Sequence, residues 1–418
     1  MIIVSHPTGN ANARAVLKAL NTYGLLSAFY TTLAVRSEDW LLRLLPNRVR
    51  RQALRRAYTL DADKIIRFPQ REMLRHIATK LHLMSLTRHE TGWVSIDAIY
   101  NDLDCRVAYA LEHQRLSESL RGVYCYEDCA LQTFRVAEKM GLKRIYDLPI
   151  AYWETSARLL AEEAQRWPEW EPTLGGTRDS AAKRERKTQE LMLADVVITP
   201  SRFVYDSLPK AIRAEKPCHV VEFGSPSHVS TPLQEHQKRS GLLRVLFVGS
   251  MTQRKGLADL FAAMKILNRS DVELSVMGTP IAPLQFYKQQ YAYFRYEPPR
   301  SHSEVLRLMQ SCDVLVLPSI VEGRALVQQE AMACGLPLVV TGNAGGDDLI
   351  EEGRTGFLVP IRSPESIAEK INWFADHRDA LPAMKQEAQR KAAEYTWERY
   401  GEAIIAKVTG EKFLRRDL

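Results

Sequence analysis

Short apolar runs that end in a glycine or polar turn and lead into a helical stretch recur along the chain. Such a chain folds as a parallel sheet covered by helices on both faces. Residues 1–5 form one such run, 6–11 a loop holding Gly9, and 12–20 a helix. The pattern returns as strands at 123–126, 144–146 and 194–199, the last leading into a helix that begins near Ser201. Residues 224–241 interrupt it with Ser225, Pro226, Ser227, Ser230, Thr231 and Pro232 and no apolar period, as a linker does. Strands at 244–248, 272–277, 313–317 and 338–341 then alternate with helices at 257–267, 304–311, 325–334 and 364–377. The expected fold class is α/β, with two Rossmann-like doubly wound domains at 1–223 and 242–395 facing a cleft and a terminal helix within 396–418. The length agrees, because 418 residues exceed one ordinary core and suit two. Ligands of such sheets bind where loops leave the carboxyl ends of the strands.

Composition narrows the class further. Hydrophobic residues make up 45% and charged residues 26%, which excludes a disordered or collagen-like chain. No apolar run is long enough to span a bilayer and the first residues lack a basic leader, so a cytoplasmic protein is expected. The six cysteines contain no CxxC pair and are expected to be free thiols. The formal charge of +7 is concentrated: residues 41–80 hold eleven Lys/Arg against three acids, a net of +8, leaving −1 elsewhere. Asn47 can cap a helix placing Val49, Ala53 and Ala57 on one side and Arg48, Arg51 and Arg55 on the other. Those arginines either rest on the anionic inner face of the cytoplasmic membrane or are a solvated surface. No nucleic-acid partner is expected, since no stacking aromatics are interleaved with them.

Two segments carry chemistry. In Val-Leu-Phe-Val-Gly249-Ser250-Met251-Thr252-Gln253-Arg254-Lys255-Gly256, a buried strand passes through a glycine turn towards a helix whose first residues are read as Arg254 and Lys255. Free amides and the dipole at a helix start favour phosphate, Arg254 can fork two of its oxygens, and Lys255 adds a compact charge. In Asp313-Val-Leu-Val-Leu-Pro-Ser319-Ile-Val-Glu322-Gly323-Arg324-Ala325-Leu326, a buried strand ends in a loop and a helix runs to Cys334, closed by Gly335 and Pro337. Glu322 sits on that loop and Glu330 inside the helix, and a carboxylate there can accept hydrogen bonds from sugar hydroxyls or face solvent.

Together with Glu-Ala-Met-Ala-Cys-Gly-Leu-Pro, Gly345-Gly346, Glu352-Gly353-Arg-Thr-Gly356 and Ala194-Asp195-Val-Val-Ile-Thr-Pro-Ser201, these segments resemble the retaining GT-B glycosyltransferases of family 4. The resemblance is strong over residues 190–360. It implies transfer of a sugar from a nucleotide diphosphate, UDP- or GDP-linked, to a saccharide or lipid-linked acceptor in envelope polysaccharide or glycolipid assembly. By that resemblance Arg254 and Lys255 hold the diphosphate near Gly249 and Ser250, and Glu322 and Gly323 lie near the transferred sugar. The amides around Ala325 and Leu326 face phosphate, Glu330 binds the ribose, and the backbone near Arg295 meets the base. No metal or other cofactor is expected, and Asp61/Asp63 and Asp102/Asp104 are read as chance matches to a metal motif. Arg324, at a usually apolar position, either recognises an anionic ligand or is a surface arginine.

The first half is expected to supply the acceptor side. Gly9 and Asn10 either approach the diphosphate or form an ordinary turn. Tyr146 stands where many relatives of this type have a histidine, and Asp147 beside it either contacts the sugar or acceptor, as a catalytic group, or caps a turn. Tyr152, Trp153, Trp167 and Trp170 either stack on sugars, meet lipid or pack in the core. Two other functions fit parts of the pattern: glycoside hydrolysis by Glu322 and Glu330, against which the phosphate clamp argues, and an idle scaffold that binds membrane or nucleic acid.

Overall fold

The computed structural model describes residues 1–35, 50, 53–114, 118–226 and 241–410. Asn47, Arg48, Val49 and Arg51 of the expected basic helix, and most of the expected linker, lie outside the described residues.

Two parallel sheets organise the chain. The first contains β1 (Ile2–Ser5), β2 (Leu26–Thr31), β3 (Ile65–Arg67), β4 (Gly122–Tyr126), β5 (Lys143–Asp147), β6 (Val196–Thr199) and β7 (Cys218–Val220), in the order β3-β2-β1-β4-β5-β6-β7. The second contains β8 (Leu243–Val248), β9 (Val272–Met277), β10 (Phe294–Glu297), β11 (Val314–Leu317), β12 (Leu338–Val340) and β13 (Gly356–Leu358), in the order β10-β9-β8-β11-β12-β13. Both are doubly wound, and in both the strand order reverses beside the first strand, which opens a crevice at the carboxyl ends there. The eight strands expected from apolar runs are present. Of the five not expected, β3, β7, β10 and β13 are sheet edges, where three or four half-covered residues leave no apolar run.

Apolar layers cover both faces of the first sheet. Val123, Cys125, Phe134 and Tyr146 pack on one side; Val4, Tyr124, Ile145 and Val197's neighbour Ile198 pack on the other. Helix Trp397–Thr409 belongs to the second of these layers: Tyr400, Ile404 and Ile405 are buried there, Gly401 meets Ala19 of helix Ala11–Thr22, and Lys18 pairs with Glu398 at 2.8 Å. The chain therefore returns from the second domain to the first.

One assignment is corrected. Residues 1–223 do not all belong to the first core, because Trp170 is buried in the second, edge-on to Phe261, Phe286 and Tyr287 at 5.1–6.0 Å between ring centres. Helix Trp153–Arg166 and the 3-10 segment Pro168–Thr173 thus bridge the two sheets. Tyr152 and Trp153 share Thr188 Oγ1 at 3.0 Å, so these aromatics serve packing. A smaller cluster of Ala151, Leu159, Leu160, Leu174, Ile320 and Val321 joins the bridge to the loop after β11.

Candidate active site between the two sheets

β8 and β11 are neighbours, paired at Val245 with Val314 and at Leu246 with Leu315, so the loops that follow them lie side by side at the switch point of the second sheet. Residues Gln253–Lys255 form one 3-10 turn and the helix proper starts at Leu257, after Gly256 in the left-handed region. Arg254 and Lys255 therefore precede the helix rather than opening it. Gly249 has φ +156°, a backbone conformation that favours glycine, and the Lys255 side chain lies against it in ordinary van der Waals contact.

Arg254 Nη1 and Lys255 Nζ both lie 2.5 Å from Glu322 Oε1. Arg254 also donates to the Val321 carbonyl at 2.9 Å, and its own carbonyl accepts from the Ile320 amide at 2.9 Å. Three charges with a net of +1 are thus gathered at the ends of two adjacent strands. Burial lowers the Lys255 pKa, Glu322 opposes that shift, and Arg254 adds to it. A cationic pair partly removed from water, with one carboxylate between its members, is suited to an incoming polyanion.

The loop is fastened from both domains. Thr341 Oγ1 donates to the Ser319 carbonyl at 2.6 Å and Asn343 Nδ2 to the Ile320 carbonyl at 2.8 Å. Ser201 Oγ, which also caps helix Arg202–Ser207, donates to the Gly323 carbonyl at 2.6 Å. A Cβ on Gly323 would overlap the Pro149 carbonyl, so only glycine allows this approach of the two domains. The turn before Arg254 is held by the bridge: Gln253 Nε2 donates to Glu163 at 2.6 Å and to Asp259 at 2.8 Å, and the Gln253 amide to Thr173 Oγ1 at 3.2 Å.

A cavity of about 650 Å³ opens between the domains, lined by Ala11, Arg14 and Arg55 from the first and by His302, Leu326 and Glu330 from the second. Glu330 faces His302 at 3.6 Å; burial raises its pKa and His302 opposes the rise. Arg14, Arg55 and His302 were not read from the sequence as ligand groups, because only the approach of the two domains brings them to Glu330. Arg55, expected either to rest on a membrane or to be a solvated surface residue, lines this cavity.

Other expected residues fall elsewhere. Arg324 is neither a surface group nor free to meet a ligand: its side chain is fully buried, forks onto Asp348 at 2.7 and 3.0 Å and donates to the Gly345 carbonyl. The Ala325 amide donates to the Ala344 carbonyl at 3.1 Å, so it is not available to phosphate, whereas Leu326 opens the helix at the cavity wall. Arg295 pairs with Glu297 at 2.7 Å on β10, and Ser250 accepts the Thr252 amide at 2.9 Å.

On the acceptor side, Gly9 is buried in the turn before helix Ala11–Thr22. Tyr58 packs over it, and its amide donates to His6 Nδ1 at 2.7 Å. His6 was not singled out in the sequence; burial, then Arg56 and Arg14, lowers its pKa to about 3, so it is a neutral acceptor holding the turn. Asn10 caps helix Ala11–Thr22. Asp147 is 1% exposed, takes a hydrogen bond from Tyr124 at 2.6 Å, and lies among tyrosines on the face that helix Trp397–Thr409 covers. Contact with sugar or acceptor needs surface that this carboxyl lacks. Tyr146 donates to the buried Glu190 at 3.2 Å on the opposite face.

Burial pushes Asp147 up to about 7, with the Tyr124 bond acting the other way. The folded protein then retains a proton that the unfolded chain releases near pH 4. The resulting stability is full below that pH and is lost as pH rises through 7, a change of roughly 4 kcal/mol. Asp147→Asn should flatten the dependence of the urea midpoint between pH 5 and 8. An unchanged slope would refute the assignment.

Among the described residues His89, Glu90 and Asp179 have metal-like spacing, but Asp179 is already paired with Lys183 at 3.1 Å and Lys187 at 4.0 Å. Asp104 caps helix Leu131–Lys139 through the Gln132 and Thr133 amides, and Asp102 pairs with Arg106 at 2.9 Å. All six cysteines are free thiols. No helix among the described residues is long and apolar enough to cross a membrane.

Two doubly wound domains meeting at a cationic switch-point site define a GT-B fold. Across 96% of both chains the structure is similar to sucrose-phosphate synthase from Thermosynechococcus elongatus, with a TM-score of 0.66 at 15% identity. It is also similar to HepE from Anabaena, solved in complex with UDP, with a TM-score of 0.63 at 14% identity over 98% of this chain and 99% of that one. Residues 231–391 match the family Glycosyl transferases group 1. In sequence, 172 residues are 29% identical to D-inositol 3-phosphate glycosyltransferase of Paenarthrobacter aurescens, covering 38% of this chain and 42% of that protein. Another 30% identity runs over 167 residues of a putative colanic acid biosynthesis glycosyltransferase, WcaL, of Salmonella typhimurium, 36% of this chain and 41% of that one. The matched stretch is under half the length of these relatives.

Proposed function

We propose that this protein is a retaining glycosyltransferase that moves a sugar from a UDP- or GDP-linked donor to the hydroxyl of a saccharide or lipid-linked acceptor. The observation that carries the reading is the pairing of Arg254 and Lys255 on Glu322 at the switch point of the second sheet. Glu322 is the counterion of both cations. The donor diphosphate takes over that role, and Arg254 and Lys255 then neutralise the charge that grows on it as the sugar–phosphate bond breaks. Glu322, an ionised acceptor-only group, turns to the hydroxyls of the transferred sugar. Glu330 accepts from the ribose hydroxyls at the cavity wall. The two cations supply the positive charge that a divalent ion supplies elsewhere, so no metal is required.

The relatives support the setting. WcaL is described by its role in colanic acid biosynthesis, which fits assembly of an envelope polysaccharide or glycolipid by a cytoplasmic enzyme working at the inner face of the membrane. The UDP complex of HepE favours a uridine donor. Thermal unfolding with UDP, GDP, ADP and their sugar conjugates, with and without a chelator, tests the reading. One nucleotide diphosphate should stabilise by about 2.7 kcal/mol at a hundred times its Kd, with no effect of the chelator. A chelator-sensitive shift would overturn the metal-free site, and no shift with any nucleotide would favour an idle scaffold.

A further inference from the structure

Helix Trp153–Arg166 belongs to the first half of the chain, yet it touches both loops of the ionic site in the second domain. Leu159 and Leu160 cluster with Ile320 and Val321, the two residues before Glu322. Glu163 holds Gln253, the residue before Arg254. This second contact is polar and enclosed, because Glu163, Gln253 and Asp259 are all 0% exposed. The Gln253 carboxamide donates to Glu163 Oε2 at 2.6 Å and to Asp259 Oδ2 at 2.8 Å, and accepts from the Ala258 amide at 2.8 Å. Each carboxylate also keeps a cation, Arg362 on Glu163 and Arg166 on Asp259, the latter at 2.5 Å. Arg362 stands in the left-handed region at φ +61°, an unfavourable state for a residue with a Cβ. It is held there from both ends: its guanidinium meets Glu163, Glu162 at 2.7 Å and the Leu159 carbonyl at 3.2 Å, and its own carbonyl accepts from Arg166 at 3.2 Å.

Apolar packing at Trp170 and in the Leu159 cluster already docks the bridge on the second domain. Buried ions add little net stability over apolar residues of the same volume, whereas their bonds have direction and select one geometry. The residue selected here shares a 3-10 turn with Arg254 and Lys255. We infer that Glu163 is a positioning residue for sugar transfer: acting through Gln253, it sets the turn so that the Arg254 guanidinium and the Lys255 ammonium stand where charge grows on the departing diphosphate. The inference rests on the transferase reading above. Its expected size is large, because misplacing such groups by about 1 Å can cost about 10²-fold in rate.

Two substitutions in the full chain test it. Glu163→Gln removes the carboxylate that Gln253 and Arg362 share, and Gln253→Met removes the bonds of the carboxamide while leaving both ion pairs in place. Each should lower kcat for release of nucleotide diphosphate by about tenfold or more, and the double variant should fall no further than the worse single one, since both break the same link. In a Lys255→Ala background the same substitutions should lower kcat by less than about threefold, because the ammonium they position is gone. Amide hydrogen exchange over residues 252–256, read without nucleotide, should quicken in both variants. Should Glu163→Gln fail to fold, Gln253→Met carries the test alone. Folded variants with kcat within about threefold of wild type, additive losses, an undiminished loss in the Lys255→Ala background or unchanged exchange would each overturn the inference. A wild-type chain that releases no nucleotide from any donor would instead sink the transferase reading, and the exchange of residues 252–256 would still decide whether Glu163 orders the turn.

Discussion

Lys255→Ala is expected to lower donor turnover by about 10²–10³-fold, equivalent to roughly 3–4 kcal/mol of transition-state stabilisation, while the protein remains folded. The two halves of that expectation have different origins. Turnover falls because the ammonium is the more buried of the two cations on Glu322, and a buried charge acts on a developing anion with little screening by water. The fold survives because Glu322 keeps Arg254 at 2.5 Å and burial already disfavours the charged lysine, so its removal strands no buried carboxylate. Release of nucleotide diphosphate under saturating donor, read beside the unfolding curve, checks both. Turnover within threefold of wild type would refute the clamp. A collapsed unfolding transition would instead make Lys255 a structural group.

Trp170→Ala is expected to cost about 3–5 kcal/mol of stability, the range for emptying a large aromatic site. The indole is 1% exposed and its Nε1 has no hydrogen-bond partner among the described residues, so the effect is assigned to packing against Phe261, Phe286 and Tyr287. The same substitution loosens the bridge that carries Glu163 and Thr173 to Gln253, the residue before Arg254, so nucleotide binding should weaken in parallel. Urea unfolding and a nucleotide titration of one sample measure both. A loss below about 1 kcal/mol would show that the bridge is docked by its polar contacts alone.

The second domain was legible in the sequence to an unusual degree, and its strands explain why. Phe247 and Val316 lie in strands whose central residues are buried on both faces, so the strands appear as continuous apolar runs. The groups that matter follow those runs directly, at Arg254, Lys255 and Glu322. Edge strands such as Ile65–Arg67 carry no such run and went unread. Arg324 reads as polar and therefore exposed; only the folded chain supplies the Asp348 carboxylate that permits its burial. Asp147 stands at the end of a strand, where ligands bind, but alternation turns its carboxyl to the face covered by helix Trp397–Thr409.

The sequence by itself therefore determined the alternation of strand and helix, the two-sheet architecture and the position of Arg254, Lys255 and Glu322 on the loops that follow two strands, because strand burial and loop position are local consequences of residue order. Tertiary structure alone decided that Trp170 packs in the second domain, that Arg14, Arg55 and His302 share a cavity with Glu330, that Tyr58 covers Gly9 and that Asp147 is buried. Those outcomes depend on which surfaces far apart in the chain exclude water together, and no local pattern of residues encodes that choice.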